Sequence, residues 1–255
     1  MLANYHTHTA RCHHATGTEE EYVRSAIRAG LQVLGFSDHS PYFFPDGYYS
    51  PFRMRACELP DYVNTVRGLR DAYRGQIDIH VGLEVEYYPA LFPRLLDFLR
   101  AYEIEYLLLG QHFPGEEINM WGSGARTEEE SRLRQYCHSV MEAYQTGLFT
   151  YHAHPDMMYF VGDDKVYTKY MRQLCREAKA CGIPLEINLL GVRDNRHYPT
   201  RRFWEIAAEE GCPVVLGYDA HEPEAFANTK QVAAAKALVG ELGLALLETV
   251  PLRKI

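Results

Sequence analysis

The sequence lacks the marks of several enzyme classes at once. No glycine-rich dinucleotide fingerprint follows the first predicted strand, and no G-x-S-x-G elbow occurs. These absences argue against nucleotide-cofactor redox and serine acyl-transfer chemistry. The six cysteines (Cys12, Cys57, Cys137, Cys175, Cys181, Cys212) form no C-x-x-C pair and no framework spacing. Reduced thiols in a cytoplasmic protein are the plain reading, and none has an obvious basic or helix-terminal setting to activate it. No apolar run approaches membrane-spanning length, and the polar, His-rich N-terminal segment does not read as a signal peptide. Positive charge is short: 26 Lys and Arg against 34 Asp and Glu leave −8 at pH 7. That balance argues against a nucleic-acid duplex or an anionic membrane as main partner. A small phosphorylated substrate is compatible with it, because divalent metals invert the local field of an acidic site.

What is present is an ordinary globular balance, 47% apolar and 24% charged over 255 residues, and an uncommon number of histidines, twelve. Short apolar runs alternate with helical patterns. Strands are expected near residues 2–6, 32–37, 77–86, 106–112, 149–152, 184–190 and 214–218, with a final short one in 244–250. Helices are expected at 18–30, 59–73, 89–102, 127–147, 165–182, 200–211 and 225–243. Capping boxes at Thr18/Glu21 and Thr127/Glu130 open two of them. Seven or eight β–α units without a linker predict one α/β domain over residues 1–255 rather than two, a parallel barrel with an open doubly wound sheet as the alternative.

The metal-capable residues fall at strand ends. His6 and His8 end the first strand and His39 follows the second; Glu84 and Glu86 end the third and His112 the fourth. His152 and His154 end the fifth, Glu186 and Asn188 lie on the sixth, and Asp219 and His221 end the seventh. Pairs at i, i+2 point to one face of a strand, and a parallel barrel gathers its C-terminal strand ends at one mouth. So many buried polar groups without metal would be costly. Imidazole and carboxylate without thiolate suit zinc, iron or manganese, and more than four ligands imply more than one ion. Adjacent ions can share a carboxylate and clamp an in-line displacement, which fits phosphoester hydrolysis.

At these residues the chain resembles the polymerase-and-histidinol-phosphatase (PHP) superfamily, and within it the histidinol-phosphate phosphatases. The matching segments are Y-H-T-H-T with C-H-H-A, F-S-D-H-S, G-L-E-V-E-Y, L-G-Q-H-F, H-A-H-P-D, L-E-I-N-L-L-G-V-R and G-Y-D-A-H, in family order from residue 5 to residue 221. The resemblance implies a distorted (β/α)7 barrel of TIM-like type and three divalent metal ions. His6, His8, Glu84 and Asp219 would hold the first ion. Glu84 would bridge to a second held by His112 and His154, and His14, His39 and His221 would hold the third. His13 and His152 are the competitors of His14 and His154.

The resemblance further implies a metal-dependent phosphomonoesterase, L-histidinol phosphate being the expected substrate. Attack by a metal-bridging hydroxide is expected, with Glu84, Asp219 and Arg193 as the catalytic groups. Asp38 either orients an imidazole or is a polar strand end, and Glu186 and Asn188 either line the pocket or form an interior network. Arg193 matches a phosphate-binding arginine, with His197 as its assistant. Arg53 and Arg55 lie in an aromatic insertion, residues 41–55, that is either a lid over the substrate or a side cover of the barrel. Glu86, Asp163 and Asp164 are candidate partners for the cationic end of the substrate. Gln111, before His112, and the segment 115–126 depart from the family pattern. Competing readings are another small phosphomonoester, a phosphodiester end or a phosphotyrosyl peptide as substrate, and a metal-binding scaffold without turnover.

Overall fold

A computed structural model describes residues 1–118 and 121–255; residues 119 and 120 of the segment 115–126 lie outside them. Eight strands, all parallel, form one curled sheet in sequence order: β1 (Ala3–Asn4), β2 (Val33–His39), β3 (Asp78–Val85), β4 (Tyr106–Leu109), β5 (Phe149–His152), β6 (Leu185–Asn188), β7 (Pro213–Gly217) and β8 (Ala245–Leu246). Beyond the ends of β1 and β7 the chain continues extended. There Thr7 bridges Ala220, with the His8 N–H donating to the Ala220 carbonyl at 2.9 Å. At that end seven strands thus meet in a ring, as the resemblance implies. At the other end the short β8 lies beside β7, and the Leu2 N–H donates to Glu248 at 3.1 Å.

The helices α1 (Glu19–Arg28), α2 (Leu59–Ala72), α3 (Phe92–Leu99), α4 (Glu130–Gln145), α5 (Asp164–Ala180), α6 (Leu189–Arg193), α7 (Arg201–Glu210) and α8 (Thr229–Leu242) connect the strands. The expected box at Thr18 and Glu21 caps α1. The one expected at Thr127 does not form: Thr127 bridges Phe160, which holds its backbone extended, and α4 starts after Glu129 with no side-chain cap. β6 is also shorter than expected, because the Asn188 side chain accepts from the Gly191 N–H at 2.8 Å and turns the chain into α6. Among the described residues no helix is long and apolar enough to cross a membrane.

Strand alternation sorts the interior into two cores. Ile79, Val81, Leu83 and Val85 of β3, Leu107 and Leu109 of β4, and Leu185 and Ile187 of β6 pack against the helices. The alternate residues Tyr106, Leu108, Tyr151 and Val215, with Tyr5, fill the barrel. The Tyr106 hydroxyl lies 2.7 Å from the Tyr5 carbonyl and 3.0 Å from that of Phe36. Its ring lies over Gly82, where a Cβ would run into it. This plug forms the floor beneath the strand ends.

The close approach gives a test of the floor. Gly82→Ala should destabilise the protein by about 1–3 kcal/mol, the range for forcing extra carbon into a packed core. A urea midpoint equal to that of the wild type would show that the ring has slack.

Candidate metal centre

The strand ends on the far side of Tyr106 carry a dense group of imidazoles and carboxylates. Glu84, the penultimate residue of β3, is at its centre and about 1% exposed. Its Oε2 lies 3.5 Å from His6 Nε2, 3.5 Å from His8 Nε2 and 3.2 Å from His39 Nδ1. Its Oε1 lies 2.8 Å from His154 Nε2 and 3.5 Å from His112 Nε2. Asp219 Oδ1 stands 3.1 Å from His8 Nε2 and 3.5 Å from His6 Nε2. On the outer side His14 Nε2 and His221 Nε2 are 3.0 Å apart, next to His39. In each of the groups His6–His8–Asp219, His6–Glu84–His154, His8–His39–Glu84 and His14–His39–His221, one donor atom per residue lies within 4.8 Å of the others.

Local backbone makes this convergence possible. A side chain on Gly110 would collide with the Glu84 carboxylate, so β4 is followed by the one residue that admits it. His154 and Asp219 reach the cluster with φ of 37° and 50°, left-handed values that non-glycine residues hold only where the surroundings fix them.

Most of the rings are anchored on their outward side. His6 Nδ1 donates to Glu186 at 2.9 Å and His112 Nδ1 to Glu86 at 2.6 Å; His8 Nδ1 lies 3.4 Å from Asp38. His14 Nδ1 donates to the Cys12 carbonyl at 2.8 Å and His221 Nδ1 to the Asp219 carbonyl at 3.0 Å. Their Nε2 atoms face inward. Despite the near carboxylates, the buried His6 Nε2, His8 Nε2, His39 Nδ1, His154 Nδ1 and Glu84 Oε2 have no hydrogen-bond partner. Buried polar atoms are rarely left so, and imidazoles held by their second nitrogen are how proteins present metal ligands. The donor set therefore fits divalent cations.

Protons are distributed unevenly here. Burial would discharge His6 and His8, but Glu186 and Asp219 beside His6, and Asp219 and Asp38 beside His8, hold both well above the usual histidine range. His39 is held well below it by burial and by His8, and His221 by the same causes is pushed down to about 3. Burial opposes the charge on Glu84 and Asp219 too, yet the imidazoles around them keep both well below the carboxylate range.

The nine residues expected as ligands are all brought together, with His14 rather than His13 and His154 rather than His152. His13 is exposed, with left-handed backbone, near Tyr49. His152 points to the helix side of β5, where its Nδ1 is 2.6 Å from the Tyr144 hydroxyl. Asp38 stands where an orienting partner would, its Oδ1 3.4 Å from His8 Nδ1 and its other oxygen accepting from the Thr9 hydroxyl.

The expected substrate contacts fare differently. Arg193 lines a cavity of about 720 Å³ at the cluster, together with Phe52, Phe113 and Tyr198. Glu186 and Asn188 are fully buried below it: Asn188 donates to Glu186 at 3.0 Å and to Asp219 at 3.1 Å, an interior network rather than a pocket wall. Arg53 is buried on Glu86 and Glu117. Arg55 sits outside over the Tyr49 ring. His197 is turned away, its Nε2 donating to the Met157 carbonyl at 2.6 Å and its ring stacked on Tyr159. Of the candidates for the cationic end, Glu86 is taken up by Arg53 and His112, Asp163 caps α5 and Asp164 pairs with Arg202.

Two residues escaped sequence reasoning. Arg196 lines the cavity, donating to Tyr198 at 2.8 Å and to Asp194 at 3.1 Å. Cys12 places its thiol within 4.8 Å of donor atoms of His8 and His221. Its place in C-H-H-A was the available signal. The aromatic insertion is both cover and wall: Tyr42 and Phe44 pack on Tyr88, whereas Pro51 and Phe52 face the cavity.

Comparison with known proteins places this cluster in a family. The PHP domain profile matches residues 4–189. A protein of Deinococcus radiodurans described as a probable histidinol-phosphatase is 32% identical over 235 residues, 87% of each chain. The chain belongs to the PHP domain family. The histidinol-phosphatase of Bacillus subtilis is 25% identical, the match covering 85% of this chain and 92% of its own. A solved histidinol phosphate phosphatase from Lactococcus lactis subsp. lactis, in complex with zinc, L-histidinol and phosphate, shares the fold. It superposes with a TM-score of 0.76 over 98% of this chain and 96% of its own at 20% identity.

The proton distribution sets a pH dependence for the metal-free PHP chain. Groups raised above the histidine value of 6.5 (His6, His8, His112) contribute stability that is lost as pH rises through their folded values. Groups lowered below it (His39, His152, His221) contribute stability that is lost as pH falls through 6.5, followed at lower pH by that of Glu84 and Asp219. Chelator-treated protein should therefore have its highest urea midpoint near pH 6.5 and lower ones at about pH 5 and 8. A midpoint that climbs steadily across that range would contradict the assignment.

Proposed function

We propose that this PHP chain is a metal-dependent phosphomonoesterase acting on L-histidinol phosphate, releasing L-histidinol and phosphate. One observation carries the metal reading: the two oxygens of buried Glu84 face two separate sets of imidazoles, and its Oε2 and the His6, His8 and His39 nitrogens nearest it lack hydrogen-bond partners. His6, His8, Glu84 and Asp219 are assigned to one ion, Glu84, His112 and His154 to a second, and His14, His39 and His221 to a third. Bound there, divalent cations would supply a water of lowered pKa and positive charge against the phosphoryl oxygens.

The remaining work falls to the chain. Arg193 presents its guanidinium at the cavity wall, suited to phosphate oxygens. Glu222 at 2.7 Å and Asp194 at 2.7 Å hold it in that place. Phe52, Phe113 and Tyr198 offer apolar faces for an imidazole ring. The substrate is inferred from these features together with the names of the relatives. The acidic balance supports a small phosphorylated substrate over nucleic acid or membrane, and six unpaired cysteines support a reducing, cytoplasmic setting.

Purified protein with its metal content quantified should release phosphate from L-histidinol phosphate well ahead of p-nitrophenyl phosphate and a nucleotide monoester. The activity should be lost on chelation and restored by zinc or manganese. Equal, weak turnover of all three would keep the site and discard the substrate. Glu84→Gln should lower kcat by at least the ~10²–10³-fold that loss of one transition-state-stabilising group costs, with loss of bound metal. Wild-type turnover with metal retained would refute the bridging role.

A further inference from the structure

Arg53 has no place in the ligand set and no access to the cavity, yet it is about 1% exposed and holds two carboxylates. Its Nη1 donates to Glu86 Oε2 at 2.5 Å, and its Nε and Nη2 donate to Glu117 Oε2 at 2.9 and 2.7 Å. The rings of Phe52 and Tyr42 lie 4.6 and 5.4 Å from its guanidinium carbon. Burying three charges brings little net stability, since desolvation consumes most of what pairing returns, and an apolar cluster of the same size would hold the loop as well. The arrangement calls for a different role.

That role is visible in the other oxygen of Glu86. Its Oε1 accepts from His112 Nδ1 at 2.6 Å, while His112 Nε2 faces Glu84 Oε1 at 3.5 Å. A continuous chain thus runs Glu117–Arg53–Glu86–His112–Glu84, joining the segment after β4, the aromatic loop and the end of β3. His112 needs such support. Its side chain is 19% exposed, against 2% for His154 on the same oxygen of Glu84, so packing alone holds it less firmly. The residue before Arg53 is Phe52, whose ring stands edge-on to His39 at 5.3 Å and stacks on Phe113 at 6.0 Å along the cavity wall.

We propose that Arg53 is a positioning residue that couples the cavity wall to one metal position. Through Glu86 it keeps the His112 proton on Nδ1 and Nε2 turned inward, and through the adjoining backbone it sets Phe52 against the substrate. The proposal rests on the reading of His112 as a metal ligand. It ties one metal affinity and the substrate KM to a residue that touches neither.

The test uses two variants of the full chain, each checked for folding by circular dichroism and melting. Arg53→Met with Glu117→Gln removes the cation and one carboxylate together, leaving the net charge of the cluster as it was. Equilibrium dialysis against zinc should show one bound equivalent weakened by roughly 10–100-fold, the usual effect of losing an outer partner of a ligating histidine. The other equivalents should keep their affinity, and KM for L-histidinol phosphate should rise several-fold. Arg53→Lys keeps the charge but cannot span both carboxylates, so it should show the same changes at smaller size. Wild-type zinc affinity and KM in either folded variant would overturn the positioning role. A wild-type chain that binds no zinc at all would overturn instead the metal reading beneath it.

Discussion

The structure depends on one buried carboxylate. Glu84 sits at the convergence of the strand ends with almost no solvent around it, and an ionised group so placed has to be surrounded by positive or donating partners. Much of the nearby architecture answers that requirement. β4 is followed by Gly110 because any side chain there would occupy the Glu84 carboxylate's space. His154 and Asp219 are held in left-handed backbone to reach it or its neighbours. The imidazoles that approach Glu84 come from the ends of β1, β2, β4 and β5, which only a curled parallel sheet brings to one place.

The barrel beneath explains why the convergence is firm. Tyr106 fills the space under the cluster, its hydroxyl within hydrogen-bond reach of the Tyr5 carbonyl just past β1 and the Phe36 carbonyl in the middle of β2, so the floor is tied to two strands that deliver ligands. The Thr7–Ala220 bridge then joins the extensions of β1 and β7 directly at ligand level, between His6 and His8 on one side and Asp219 and His221 on the other. Closure of the ring and assembly of the site are one event at this level.

Much of this was legible in the sequence because parallel strands follow simple rules: a buried run, a polar strand end, a helix. Seven such runs ending in His, Asp or Glu prescribe a mouth full of ligands without knowledge of any contact. What stayed illegible depends on single dihedrals or on distant partners. The i, i+2 pair His152 and His154 should share a face, yet His152 packs against Tyr144 while a φ of 37° at His154 turns that ring into the site. Arg53 and Arg193 look alike as loop arginines; only the distant Glu117 and the fold's placement of Glu86 make one a buried strut and leave the other at the cavity. Thr127 had the spacing of a capping box, but pairing with Phe160, 33 positions on, claimed its backbone first. Gln111 departs from the family pattern and still has a local task, receiving the Tyr87 N–H at 2.9 Å and donating to the Phe113 carbonyl at 2.7 Å.

The hydrogen bonds of the cluster divide by direction, and that division bears on why the site is stable without being satisfied. Facing outward, His6, His112, His14 and His221 have acceptors for Nδ1, and those acceptors are engaged in turn: Glu186 by Asn188, Glu86 by Arg53. Facing inward, His6 Nε2, His8 Nε2, His39 Nδ1 and Glu84 Oε2 have near neighbours but no bonds, while His154 Nε2 is bonded to Glu84 Oε1 at 2.8 Å. An interior evolved only for stability would place the orphans and the bonded atoms at random, or remove the orphans by apolar substitution. Here the bonded shell fixes ring orientation and leaves lone pairs pointing at a common space. Within that space the carboxylates beside His6 and His8 pull their titration up while burial pulls that of His39 and His221 down, an uneven demand that shared cations meet better than protons.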